Sequence, residues 1–261
     1  MGADPRVGAV VRRLAAGPLT DTERQVEQLT RAVDTLHRRH YGGMPLPPEE
    51  LRLHVGTNPT VANFLAQGVN SSQRVIELFG EAPEGPILDW GCGTGRTRRW
   101  LEHYEGWRAS WHGCDVDAEA IAWLREAGVE NAEVCADDPP TPYADDRFAG
   151  VYAFSVLTHI PAARHRAWYE ELHRILRPGG LAYLTYQGRH ILDAAGATLP
   201  DEARSEFAAS GQAYVTRAGH YKDAAFVSED FTRAALDGLF EVDSFVPAGY
   251  QNMDAVTARA V

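Results

Sequence analysis

The sequence predicts an α/β fold, a doubly wound and mainly parallel sheet with helices on both faces, and three observations carry that expectation. Between residues 86 and 186, short apolar runs alternate with helical patterns. Each run is too short for a helix, and the first three stop at an acid, as a buried strand does when it reaches a loop. Such β-α alternation requires crossover connections that cover a parallel sheet on both faces. Ligands of such sheets sit beyond the carboxyl ends of the strands, which is where the acids and glycines of this chain collect.

The first elements are helical. Residues 1–19 read as a flexible N-terminus and residues 20–82 as a helical cap. Thr20-Asp21-Thr22-Glu23 has the form of a capping box, followed by Val26, Leu29, Val33 and Leu36 at helical spacing. Tyr41 to Pro48 breaks that pattern. Asn58-Pro59 reads as an N-cap with proline at N1, opening a short helix with Val61, Phe64 and Leu65 that ends at Gly68. A further helix carries Val75, Ile76 and Phe79 and stops at Gly80.

The core, residues 83–261, is organised around Pro86-Ile87-Leu88-Asp89-Trp90-Gly91-Cys92-Gly93-Thr94-Gly95-Arg96. A buried strand here passes into glycines that leave no Cβ to keep the backbone from a ligand. The spacing is G-x-G-x-G, and Arg96 stands where a dinucleotide fingerprint places its third glycine, which weighs against a nicotinamide cofactor. A carboxylate beside a phosphate costs Coulomb energy, so Asp89 suits a cationic ligand better than a pyrophosphate. A nucleoside with a positive amino-acid tail fits both features.

A helix follows from about Thr97, with Trp100, Leu101 and Tyr104. Ala109 to Asp115 reads as a strand ending in acid, and Asp117 as the N-cap of a helix with Ile121 and Leu124. A third strand, Ala132 to Ala136, leads into Asp137-Asp138-Pro139-Pro140. A fourth, Phe148 to Phe154, leads into Ser155 to Pro161. The next helix carries Trp168, Leu172, Ile175 and Leu176 and releases a strand from Leu181 to Tyr186. Residues 187–227 form a long irregular connection, read as a partly helical cap over the site. Ser228 caps a helix, and strands Leu239 to Val246 and Met253 to Val261, joined by a short linker, pair antiparallel.

Composition narrows the classes. With 25 Lys and Arg against 36 Asp and Glu, a net charge of −11 excludes long nucleic acids as partners. No apolar run has the length of a membrane span and the start lacks a signal-peptide core, so a cytoplasmic location is expected. Cys92, Cys114 and Cys135 have neither disulfide nor zinc spacing and read as small buried fillers.

Four stations together resemble the class I methyltransferases that use S-adenosylmethionine. Ile87 to Gly95 is similar to their first motif and Gly113-Cys114-Asp115-Val116-Asp117 to their second-strand end. Asp137-Asp138 with Pro142 to Phe148 is similar to their adenine-side loop and fourth strand, and Leu176-Arg177-Pro178-Gly179-Gly180 to the turn before the fifth. The resemblance covers residues 85 to 187. Leu53-His54-Val55-Gly56, Ser155 to Pro161 and Pro247 to Asn252 also resemble a bacterial subgroup of glycan and natural-product pathways. The family implies a Rossmann-like, mainly parallel seven-stranded sheet with a terminal antiparallel strand, N-terminal helices, and a cap between strands five and six.

Carried over by residue, the resemblance puts Gly91, Cys92, Gly93 and Gly95 beneath the cofactor, Asp89 near its ammonium, and Asp115 with Val116 at the ribose. It puts Asp137 or Asp138 at the adenine and Ser155 at the end of the fourth strand. The family commonly has an acid after the phenylalanine of the fourth strand, where this chain has Ala149. Trp90 is either a core residue or a sulfonium contact. His159 is the candidate general base, or else a histidine bonded to backbone at the start of the next helix. Tyr186, His190, Tyr214 and His220 are candidate acceptor contacts. Arg96, Arg98 and Arg99 read as a solvated helix face, and no metal is expected. The implied reaction moves a methyl group to oxygen or nitrogen of a small molecule and leaves S-adenosylhomocysteine. Its alternatives are non-methylating chemistry on the same cofactor, such as a cyclase or decarboxylase, and a cofactor-sensing module. Whether the chain acts as a monomer or a homodimer is open.

Overall fold

The computed structural model describes residues 43–56, 58–216 and 223–261. The capping box at Thr20 to Glu23, its helix and His220 lie outside the described residues. Seven strands form the main sheet in the order β3-β2-β1-β4-β5-β9-β8. These are β1 (Ile87–Trp90), β2 (Trp111–Asp115), β3 (Ala132–Val134), β4 (Phe148–Ala153), β5 (Leu176–Tyr186), β8 (Phe240–Tyr250) and β9 (Met253–Ala260). The first five run parallel. β9 is antiparallel to both β5 and β8, so the reversed strand lies one place in from the edge.

The strand β1 explains why the sheet is covered twice. All four of its residues are buried. Alternation along the pleat sends Leu88 and Trp90 into one core and Ile87 into the other. The first core is closed by α6 (His165–Ile175) and α9 (Glu229–Leu236), through Trp168, Leu172, Ile175 and Leu236. The second is closed by α2 (Val61–Phe79), α3 (Arg98–Leu101), α4 (Glu105–Ser110) and α5 (Ala118–Glu126), through Val75, Leu101, Trp107 and Leu124. Trp90 is 2% exposed and packs at 4.7 Å on Trp168, which makes it a core residue.

Several local expectations are corrected. The two short helices predicted around Gly68 are one 19-residue helix, α2. Gly68 does not end it. A Cβ there would meet Arg96 O and Trp100 Nε1 at 2.6 Å, so the glycine permits close packing against the chain after β1. The N-cap of α2 is Thr60, whose hydroxyl accepts from Asn63 N at 3.3 Å, while Asn58 accepts from Thr60 N at 3.1 Å. Residues expected to begin the second strand at Ala109 instead finish α4, and the helix from Thr97 is split into α3 and α4.

The connection after β5 carries α7 (Arg189–Ala194), α8 (Asp201–Ser210) and a two-stranded antiparallel sheet, β6 (Gln212–Val215) with β7 (Ala224–Val227). This hairpin was not expected. It has its own small core, including Leu192, Phe207 and Phe226, and Val227 N binds Gln187 O at 3.0 Å where β5 ends. A short helix α1 (Glu49–His54) precedes α2.

Candidate functional site

The glycine turn sits at the carboxyl end of β1, where Gly91 N and Cys92 N both donate to Cys114 O, at 2.8 and 3.0 Å. Gly91 and Gly93 take φ of +80° and +50°, a region costly for any residue with a Cβ. Neighbouring side chains fill the space the glycines leave. A Cβ on Gly91 would meet Val156 Cγ2 at 2.2 Å, and one on Gly93 would meet Val55 Cγ1 at 2.3 Å. The turn is therefore enclosed by protein on the side the glycines open.

Val55 belongs to a strap, residues 44–56, tied across the turn by three basic side chains. Arg96 Nη1 donates to Val55 O at 2.8 Å, and Arg99 donates to Met44 O at 2.6 Å and to Pro45 O. His54 Nδ1 lies 2.6 Å from Asp117 Oδ2. The expected solvated arginine face is thus overturned. Arg99 is 1% exposed, because loop carbonyls without a helix or sheet partner need buried donors, and Arg98 pairs with Glu102 at 2.8 Å.

Asp89 is 4% exposed beneath the turn. Trp111 Nε1 lies 3.4 Å from its carboxylate, and the Tyr152 hydroxyl bonds to it as well. Burial outweighs these donors and pushes its pKa up to about 7. At the end of β2, Asp115 accepts Gly93 N at 2.7 Å through one carboxylate oxygen and Asp117 N at 2.9 Å through the other. Asp117 caps α5, accepting Glu119 N and Ala120 N at 3.0 and 3.1 Å. Burial opposes its ionisation, but the Ala120 amide and His54 hold its carboxyl below the usual range. Val116 is 52% exposed beside Asp115, an uncovered apolar side chain at a strand end. Asp137 and Asp138 are exposed after β3, and Arg164 donates to Asp137 O and the Asp138 carboxylate.

Beyond β4, Ser155 takes φ of +63°, strained for a serine, with its N–H held by Thr185 Oγ1 at 2.8 Å. His159 Nδ1 lies 2.8 Å from Asp223 O. A carbonyl only accepts, so Nδ1 carries the proton and Nε2 the lone pair. Tyr214 donates to Asp223 Oδ2 at 2.9 Å, so two residues singled out in the sequence converge on one that was not. His190 is half-exposed on α7, its Nδ1 3.6 Å from Asp254 Oδ1. Tyr186 is corrected: it is 1% exposed, bonded to the Tyr169 hydroxyl at 3.2 Å and stacked near Phe245. Its position on β5 turns it into the core, away from any acceptor. The three cysteines are buried and free.

Sequence reasoning missed Asp223, His54 and the strap arginines as parts of this region. Only His54 left a trace, within Leu53-His54-Val55-Gly56. Among the described residues no group of three His, Cys, Asp or Glu could hold a metal ion, and no helix is long and apolar enough to cross a membrane.

Comparison with known proteins matches residues 87–180 to the family described as methyltransferase domain. Over these residues the chain carries a methyltransferase domain. The domain is similar to 24-methylenesterol C-methyltransferase 2 of Oryza sativa subsp. japonica, 31% identical over 44% of this chain and 32% of the relative. It is also similar to methyltransferase GfsG of Streptomyces halstedii, 29% identical over 60% of this chain and 52% of the relative. The chain thus spans about half or less of the length of these curated relatives. In fold it resembles an S-adenosylmethionine-dependent methyltransferase of Methanosarcina mazei, with TM-score 0.56 and 20% identity over 72% of this chain and 97% of that one. It also resembles the 1,6-didemethyltoxoflavin-N1-methyltransferase of Burkholderia thailandensis, with TM-score 0.53 and 16% identity over 94% and 92%.

The methyltransferase domain has a donor set suited to S-adenosylmethionine. A carboxylate already held by two amides at the end of β2 can still accept from two vicinal hydroxyls, since each oxygen has a second lone pair. Val116 offers an apolar surface for a purine beside it. The buried acid under the turn, with its pKa pushed up to about 7, can offer negative charge to an ammonium or sulfonium in its ionised form.

Proposed function

We propose that this chain transfers the methyl group of S-adenosylmethionine to an oxygen or nitrogen of a small organic acceptor, in secondary metabolism or glycan modification, releasing S-adenosylhomocysteine. The observation that carries this reading is the Asp115 carboxylate, fixed between the Gly93 and Asp117 amides at the end of β2 beside exposed Val116. Asp115 holds the ribose hydroxyls, Val116 and the Asp137-Asp138 loop border the adenine, and Asp89 sets the local potential for the charged tail. S-adenosylmethionine supplies a methyl group already activated by its sulfonium. Alignment and exclusion of water by the strap and the β6–β7 insertion then supply most of the rate, up to about 7–11 kcal/mol from proximity.

His159 takes the acceptor's proton where the acceptor still holds one. Its Nδ1–H is given to Asp223 O, and in that tautomer Nε2 carries the basic lone pair. Calorimetry with S-adenosylmethionine and with NAD, followed by detection of S-adenosylhomocysteine over a panel of alcohols, phenols and amines, tests the reading. Binding of NAD alone refutes it. Turnover without S-adenosylhomocysteine points to non-methylating chemistry. His159→Ala is expected to lower turnover about 10²–10⁴-fold with loss of the acidic limb of the pH profile, and near-normal turnover across pH removes the base assignment. A carbon acceptor is the second reading, favoured by the sterol C-methyltransferase among the relatives. NMR of the methylated product distinguishes the two.

A further inference from the structure

An open groove with a volume of about 460 Å³ lies between α2 and the end of β8. Its helical wall carries Asn70, Gln73, Arg74 and Glu77, whose i, i+3, i+4, i+7 spacing is one face of α2. The opposite wall includes Tyr250 and Gln251. A bulge shapes that wall: the β8–β9 register shifts between Val246 and Tyr250, and Ala248, at φ of +51°, donates its N–H to Asp254 Oδ1 at 2.9 Å. Bulges re-aim side chains. Here the Tyr250 ring is carried to 4.5 Å from Phe154, the residue after β4 and next to Ser155.

The polar groups at this groove partly satisfy one another. Arg74 pairs with Glu77 at 3.0 Å and lies over the Tyr183 ring at 4.9 Å, bonding to that tyrosine as well. Gln251 Nε2 donates to the Tyr250 hydroxyl at 3.0 Å. The donor set selects among ligands. A phosphate or sulfate would meet the Glu77 carboxylate, a cation would meet Arg74, and an apolar tail would strand three amides. A hydroxyl both donates and accepts, so vicinal hydroxyls on a ring match amide, carboxylate and guanidinium together. The volume lies in the range of small-molecule sites.

We propose that this groove binds a polyhydroxylated ring, a sugar or sugar-like portion of the methyl acceptor, seated against Tyr250. That it belongs to the acceptor rests on the methyl-transfer reading; that it is a sugar rests on the groove. The test is ligand-observed saturation-transfer NMR on the full chain. The probes are methyl α-D-glucopyranoside, methyl α-D-mannopyranoside and methyl α-L-rhamnopyranoside, with cyclohexanol and inorganic phosphate as comparators. At least one glycoside is expected to bind more tightly than both comparators. Asn70→Ala and Gln73→Ala, both at exposed positions, are each expected to weaken it about 2–10-fold, as loss of one hydrogen bond does, with S-adenosylmethionine affinity unchanged. Failure of every glycoside to bind, equal binding of a comparator, or unaltered binding by both variants overturns the proposal. Calorimetry with S-adenosylmethionine separates the two ideas: glycoside binding without cofactor binding retains the sugar site and removes the methyl-transfer reading, and the converse removes the sugar site alone.

Discussion

Replacing Asp89 by asparagine tests how the buried carboxyl under the glycine turn is charged. Its pKa is raised from 3.8 to about 7, with burial the chief cause and the Tyr152 and Trp111 donors opposing it. The folded chain therefore keeps a proton that the unfolded chain releases at about pH 4. Between those values the native state holds more protons than the unfolded state, so stability falls as pH rises from about 4 to about 7 and is level above that. A shift of about three units at 1.36 kcal/mol each corresponds to about 4 kcal/mol. D89N carries no charge at any pH and escapes this loss. Urea denaturation of both proteins from pH 4.5 to 8 should show the variant gaining on the native protein up to about pH 7, by up to about 1.4 kcal/mol per pH unit, and no further gain above it. A difference independent of pH would refute the reasoning. Under the proposed function, a cationic ligand favours the ionised carboxylate. Calorimetry at pH 6.5 in buffers of unlike ionisation enthalpy should then detect proton release on S-adenosylmethionine binding, absent in D89N.

Asp115→Asn should weaken S-adenosylmethionine binding by roughly 10-fold or more by removing charge-assisted bonds to two hydroxyls, as read by calorimetry. Gly68→Ala tests packing against propensity. Alanine favours the helix by about 1 kcal/mol, but its Cβ would lie 2.6 Å from Arg96 O, and overpacking of this kind costs about 1–3 kcal/mol; a lowered Tm is expected, and a raised one would show that the contact relaxes. Arg99→Met leaves Met44 O and Pro45 O without their buried donor, at about 1–3 kcal/mol each. Limited proteolysis should then cut first within residues 44–56.

What the sequence revealed follows the reach of its signals. The sheet was legible because buried parallel strands are short apolar runs ending at Asp89, Asp115 and Ser155, a pattern local to each run. The Asp117 cap was equally local, since its carboxylate serves amides two and three residues ahead. The contacts that were missed span long separations. Arg99 meets Met44 across 55 residues and His159 meets Asp223 across 64, and no periodicity encodes which carbonyl a long side chain will find. Gly68 misled for a related reason: a glycine within a helical pattern signals an end when judged locally, but here it answers to Trp100 from another helix. Tyr186 carried no mark of its orientation, because the strand it ends is buried on both faces.

The two amides that hold Asp115 have a consequence for selectivity. A carboxylate clamped by Gly93 N and Asp117 N has lost its rotational freedom during folding, so a nucleoside need not immobilise it on arrival. The end of β2 is a rigid gauge for two adjacent hydroxyls. Under the proposed function it cannot swing to follow a sugar with only one, so a preference for ribose over deoxyribose would be built in with the backbone, before any ligand enters.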